Sequence, residues 1–365
     1  MDVKVITRHG PSSYGSLLQA MATIKVLKGL GHQARLVNYV RPDERGLRAV
    51  LTSLAGKPSW NGNLLKKMVY IGVRYPEEKW AEMKFDRMRR YYLNMTKRCT
   101  SVTDLGRLKA DVFMTGSDQV WGPMMNGKPD GAYFLDFVKQ GKKVAYAASF
   151  GRTEFMPQVL FEYKKLLGCY DRIAVRENSA VKLLEEMNIA CVGQVLDPTL
   201  LLTGEEWSQY IKKDVKGKYV LVYQLHNNPM LCRYAQHFAN KVKLPLLRIS
   251  PSFHQFRCGG KFVYLPDIDE FLSYIKNSTY FITDSFHGTA FAINFNRQFI
   301  EILPNNKTDS RNQSILQLTG LTERIVTDYE NFFIANKTID YKTVNEILDK
   351  ERRKSMKILK TLLGD

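Results

Sequence analysis

Short apolar runs alternate with amphipathic stretches along most of the chain, and this alternation most constrains the fold. VKVIT (3–7) reads as a strand and RHGPSSYGS as a Gly/Pro/Ser loop. LLQAMATIKVLKGLGH reads as a helix, with Leu18, Met21, Ala22, Ile24, Val26 and Leu27 near one stripe and Gly31 as its stop signal. QARLVNYV is the next strand. Strand, loop, helix and strand in that order make the unit of a parallel sheet. DVFMTGSDQVW, KVAYAASFG, RIAVRE and VGQVLDPTLLL continue the series, with helices from about Gln158 and over NSAVKLLEEMNI. A second series starts at KYVLVYQL (218–225) and runs on to TYFITDS, HGTAFAINFN and QFIEIL, after a polar break at 201–218. The expected fold is α/β, with two Rossmann-like doubly wound domains facing a cleft. Their expected limits are 1–205 and 206–330, with the helical segment 331–365 closing the chain.

Five scattered cysteines without CxxC spacing argue against a zinc site or a disulfide framework, and for a reducing cytoplasm. MDVKVITRHG is no signal peptide, and no apolar run reaches the length of a membrane span. The charge balance is unusual: 54 Lys and Arg against 36 Asp and Glu, net +18. Such a chain attracts anions: nucleic acid, an acidic membrane surface or a phosphorylated substrate. No nucleic-acid module is present, so a nucleic-acid partner rests on charge alone. Residues 41–100 are the most basic, with 14 Lys and Arg against 6 Asp and Glu. Within them, KFDRMRRYYLNMTKR reads either as a solvated face over a core stripe or as an interfacial basic-aromatic helix; the first reading is favoured.

Ligands of open parallel sheets bind outside the carboxyl ends of the strands. Tyr14, Gly15, Ser117, Asp118, Gln119, Ser149, Arg176, Glu177 and His287 all follow apolar runs and are expected to converge there. Each also has an ordinary structural explanation. Ser117 and Asp118 suit an N-cap, Ser149 a close loop, and Arg176 with Glu177 an ion pair. His287 stands out, because it lies where YFITDS hands over to a helix expected from Gly288. Free N–H groups at that helix start favour an anion, and Ser285 and Thr289 add hydroxyls. An imidazole there donates to an anion or acts as general acid. No Walker loop, GxGxxG or metal-ligand spacing accompanies it.

YGSLLQAMA, GSDQVW, AASFG, VREN, VLDPTLLL and TDSFHGTAFAINFN, in this order and spacing, resemble the polysaccharide pyruvyl transferase family from about residue 10 to about residue 320. The resemblance implies a GT-B-like fold and chemistry without a metal or other cofactor. It implies phosphoenolpyruvate as co-substrate, whose enolpyruvyl carbons pass to two hydroxyls of a sugar as a cyclic ketal. By resemblance His287 is the general acid or the phosphate-binding cation, Arg176 holds the donor carboxylate or phosphate, and Asp118 is base or orienter for a sugar hydroxyl. Ser285, Gly288, Thr289 and Ser149 are the expected donor-side contacts, and Tyr14, Gln19 and Gln119 the acceptor-side ones. Several relatives carry Arg two residues before the histidine; Ser285 stands there, and Arg311 is the expected substitute cation. The implied acceptor is a sugar of a bacterial surface polysaccharide, or of its lipid-diphosphate-linked precursor at the inner membrane face. A basic protein in peripheral contact with anionic lipid suits that acceptor. A nucleotide-sugar glycosyltransferase on the same fold and a non-catalytic assembly protein are the competing readings.

Overall fold

In the computed structural model, which describes residues 1–124, 126–304 and 309–364, the apolar runs form two all-parallel sheets. The first has strands β1 (Asp2–Ile6), β2 (Gln33–Tyr39), β3 (Met95–Cys99), β4 (Val112–Thr115), β5 (Lys142–Ala148), β6 (Arg172–Val175) and β7 (Gly193–Gln194). Their order is β3-β2-β1-β4-β5-β6-β7. The second has β8 (Val220–Tyr223), β9 (Leu246–Ser250), β10 (Lys261–Tyr264), β11 (Tyr280–Thr283) and β12 (Gln298–Glu301), ordered β10-β9-β8-β11-β12. Both orders reverse direction beside the first strand of their sheet, the doubly wound arrangement. The α/β expectation therefore holds. Strands β3 and β10 escape a reading by hydropathy. MTKRC is too polar for a buried run, and both strands are sheet edges, paired on one side only.

The chain divides into two compact units, Met1–Pro198 with Lys357–Asp365, and Thr199–Met356. A division after 205 would cut the helix Gly204–Ser208, whose capping box joins Thr203 to Glu206. The closing helix Tyr341–Leu363 begins in the second unit, and its last turns belong to the first. There Arg172 donates to the Thr361 carbonyl.

In the first unit Ile6, Phe113, Ala145 and Ile173 from neighbouring strands pack with Trp121, Phe134, Phe150 and Tyr163. The first helix runs from Tyr14 to Gly29, capped by the Ser13 side chain. It starts before the expected Leu17 and is buried well beyond one stripe, so it is a core helix rather than an amphipathic surface one. In the second unit Val220, Val222, Ile282 and Ile300 pack with Tyr234 and Phe238. No described helix is long and apolar enough to cross a membrane.

Candidate functional site

In the first unit the carboxyl ends of β1, β4, β5 and β6 lie side by side, and the polar residues after them form one bonded cluster. Ser117 Oγ donates to Asp197 Oδ2 at 2.7 Å, and Arg176 Nη1 donates to the same oxygen at 2.9 Å. Glu177 lies 3.5 Å from the other side of the guanidinium, and its Oε1 accepts from Ser149 Oγ at 2.7 Å. Asp118 accepts from Ser16 Oγ at 2.8 Å and from the Gln119 N–H at 2.9 Å. Asp118 has φ 76°, a left-handed conformation that Asp tolerates better than most residues. Burial opposes the charge on Arg176, but Asp197, Glu177 and Asp118 together hold its guanidinium above its usual range.

The structure thus brings together Ser117, Asp118, Ser149, Arg176 and Glu177, as expected, and adds Asp197. Arg176 is engaged by protein carboxylates, and Ser149 by Glu177, which makes both part of a buried lattice. Tyr14 and Gln19 are fully buried. Tyr14 packs on Phe85 with ring centroids 5.1 Å apart, and the Gln19 amide donates to Thr7 Oγ1 and the Ser16 carbonyl. Gln119 remains half-exposed beside Arg8, so it alone of the three acceptor-side candidates reaches the surface.

His9 lies in the loop after β1, and burial pushes its imidazole down to about 4, so it is neutral near pH 7. Its Nδ1 bonds the Thr7 carbonyl at 3.0 Å. Arg89 clasps the same loop, donating to the carbonyls of His9, Gly10 and Pro11.

In the second unit the ends of β8, β11 and β12 are neighbours. The helix after β11 spans Phe286–Asn294, not the expected start at Gly288, and Ser285 is its N-cap. The Ser285 hydroxyl accepts from the Gly288 N–H at 3.2 Å, so that N–H is not available to a ligand. Gly288 is required by packing: a Cβ there would meet Thr283 Oγ1 at 2.5 Å. His287 is the second residue of this helix; it is 8% exposed, and its ring packs edge-on to Phe286. Asp284 accepts from the backbone N–H groups of Leu225 and His226, and His226 Nδ1 lies 3.1 Å from its Oδ2. His226 is thus a second imidazole at these strand ends. It directly follows the apolar run KYVLVYQL, so the rule of carboxyl ends applied to that run would have found it.

Behind the helix start, Glu301 at the end of β12 is fully buried between Thr289 and Asn312. Asn312 Nδ2 donates to Glu301 Oε1 at 2.6 Å. The Thr289 hydroxyl donates to Glu301 Oε2 and also lies 3.1 Å from the Ser285 carbonyl. Burial pushes the Glu301 carboxyl up to about 8, against the lowering effect of Thr289 and Asn312. Glu301 reads in sequence only as a strand position of QFIEIL, and no local signal marks it. Arg311 is the second residue of the helix Ser310–Leu318, half-buried and next to Asn312 in the chain. Arg248 on β9 is fully buried, its Nη1 donating to Gln224 Oε1 at 3.0 Å, with no carboxylate partner among the described residues. It is a cation that sequence reading missed. Among the described residues, no group of three or more His, Cys, Asp or Glu is placed to hold a metal.

The raised Glu301 carboxyl has a measurable consequence. Its contribution to stability is fully present below the ordinary carboxyl value of 4.5 and is lost as pH rises through about 8. Glu301→Gln keeps an acceptor for Asn312. Between the ordinary carboxyl value of 4.5 and about 8, denaturant midpoints of the parent should fall relative to those of this variant, which shares every other titration, that of His9 included. Parallel curves would show that Glu301 is ionised throughout.

The sequence profile described as Polysaccharide pyruvyl transferase matches residues 14–306. Among curated proteins, none matches the chain. Similar solved structures include S. aureus MnaA with UDP, at TM-score 0.53 and 13% identity over 100% of this chain and 96% of that one. A putative UDP-N-acetylglucosamine 2-epimerase from Listeria monocytogenes has TM-score 0.51 and 10% identity, covering 96% and 90%. The UDP-GlcNAc 2-epimerase from Methanocaldococcus jannaschii has TM-score 0.50 and 12% identity, covering 100% of both chains. At such identities these likenesses show the fold alone, two Rossmann-like units of the GT-B kind.

Proposed function

The chain belongs to the polysaccharide pyruvyl transferase family, and from that premise we propose that it moves pyruvate from phosphoenolpyruvate onto a sugar of a bacterial surface polysaccharide or of its lipid-linked precursor. The observation that carries the reading is the family match over residues 14–306, which includes every strand end of both units except that of β1.

The reaction balances without an added oxidant or reductant. Two sugar oxygens bond to C2 of the enolpyruvyl group, the bond from C2 to the phosphate oxygen breaks, and C3 gains a proton to become methyl. Of the two hydroxyl protons, one is accounted for at C3 and the other on the departing phosphate. His287 supplies the proton to C3 or a positive charge to the phosphate. His226, oriented by Asp284, is the neighbouring proton carrier. Arg311 and the buried Arg248 supply positive charge to a donor that carries both a carboxylate and a phosphate. Ser285, Gly288 and Thr289 act by fixing the helix start that presents His287. In the first unit, Asp118 orients or deprotonates a sugar hydroxyl and Gln119 contacts the acceptor. Arg176 and Ser149 hold the Ser117–Asp118 turn in place, and Tyr14 and Gln19 support it from the first helix.

The test is turnover: the protein is incubated with phosphoenolpyruvate and lipid-linked or free oligosaccharides carrying vicinal or 4,6-diols. Release of inorganic phosphate that depends on the acceptor, with an acid-labile ketal on the product, supports the reading. Sugar transfer from a nucleotide sugar instead would establish the second reading. The likeness in fold to a protein solved with UDP favours that alternative.

A further inference from the structure

Between β2 and β3 the first unit carries a helical insertion that includes the helices Gly46–Ala55 and Leu64–Tyr92. The long helix carries apolar residues on its exposed surface as well as on its buried side. At 100° per residue, Tyr70, Ala81, Phe85 and Met88 fall on one side and are buried. The flank and far side carry Leu65, Met68, Val69, Val73, Trp80 and Met83, all exposed, with Leu65 at 66%, Val73 at 64% and Trp80 at 60%. An exposed helix face of a globular protein is ordinarily the polar one. Leu64 and Trp60 extend the apolar surface towards the shorter helix, where Leu47 and Leu51 are also exposed.

Charge on this insertion is one-sided. Residues 46–76 contain five Lys and Arg and no Asp or Glu. The acids that follow are engaged within the unit. Glu77 pairs with Arg74, Glu78 accepts from Ser12, Glu82 accepts from the Gly46 N–H, and Asp86 binds Arg45 and Arg89. None of the four belongs to the exposed residues. The earlier candidate for an interfacial helix, 84–98, is the wrong stretch, because its Phe85, Met88 and Arg89 are packed inside.

We propose that this acid-free apolar face docks on an anionic lipid bilayer, lying in the headgroup plane with Trp60, Tyr75 and Trp80 at the interface. Apolar residues with amphipathic aromatics and flanking Lys and Arg are what an interfacial helix requires. A second copy of the chain complements it poorly, since two acid-free cationic faces would meet and each chain carries net +18. Docking deepens the acceptor side of the proposed function by bringing the protein to a lipid-linked sugar. It is read by binding alone, so its failure leaves the donor chemistry untouched.

The experiment is vesicle flotation of the full chain. Vesicles of phosphatidylethanolamine with phosphatidylglycerol are compared with phosphatidylcholine vesicles, at low and high salt. Binding should be confined to the anionic vesicles and weaken with salt. Lys66→Gln with Lys67→Gln should lower the partition roughly thirtyfold, at about fivefold per charge. Leu65→Asp with Val73→Asp should abolish it, with the circular dichroism unchanged. Lys213→Gln with Lys216→Gln removes the same charge from the second unit and should leave binding nearly intact. The proposal is overturned if the parent does not bind anionic vesicles at low salt. Equal losses from both lysine pairs would also overturn it, as would a dimer that Leu65→Asp dissolves without any vesicle binding.

Discussion

His287→Ala is expected to lower turnover by roughly 10²–10⁴-fold, the range that a positioned proton donor contributes, with the fold retained. His287 is the second residue of the helix Phe286–Asn294, and that helix is anchored by others: Ser285 caps it, and Thr289 with Glu301 holds its first turn. The cap and the first-turn bonds of that helix do not use the imidazole. Two roles remain for it, and the variant separates them. If His287 donates the proton to C3, phosphoenolpyruvate affinity stays near that of the parent and only the rate falls. If it is the cation facing phosphate, affinity falls with the rate. Rates unchanged within a factor of about three, a conservative cutoff well below that range, would remove His287 from the chemistry and leave His226 as the imidazole to test.

Arg176→Met is expected to act on stability first. The guanidinium lies between two carboxylates, Asp197 and Glu177, that are 1% and 3% exposed. Removing the cation leaves both buried without it, and breaking a buried pair from one side costs about 3–5 kcal/mol. At about 2–4 °C per kcal/mol for a unit of this size, Tm should fall by roughly 6–20 °C. Adding Asp197→Asn should restore much of the loss, because the pair is then removed from both sides. An Arg176 that served only a ligand would give the opposite pattern, an unchanged Tm with weakened donor binding.

These two residues show how far the sequence could be read. His287 was drawn from a local pattern, a histidine after an apolar strand and before a helix, and the structure places it inside that helix, which starts at Phe286. Arg176 was legible as a residue at a strand end, but its partner Asp197 lies 21 positions on, in VLDPTLLL. Nothing in either motif states that they pair. Ser285, Gly288 and Thr289 were drawn to the right helix start for a ligand, and the structure gives their polar groups to the helix itself. Glu301 was invisible because its environment comes from three elements distant in sequence. The alternation of strands and helices depends only on neighbours and fixed the fold class. The limits of the units depend on packing, and a boundary read from polarity fell inside a helix.

The most direct measurement is donor binding by calorimetry, phosphoenolpyruvate against UDP-sugars, since it needs no knowledge of the acceptor. The account predicts that phosphoenolpyruvate binds saturably in the absence of sugar and that UDP-sugars do not compete with it. Binding of a UDP-sugar with no response to phosphoenolpyruvate would contradict it. In that case the two Rossmann-like units would stand and the pyruvyl transfer would not.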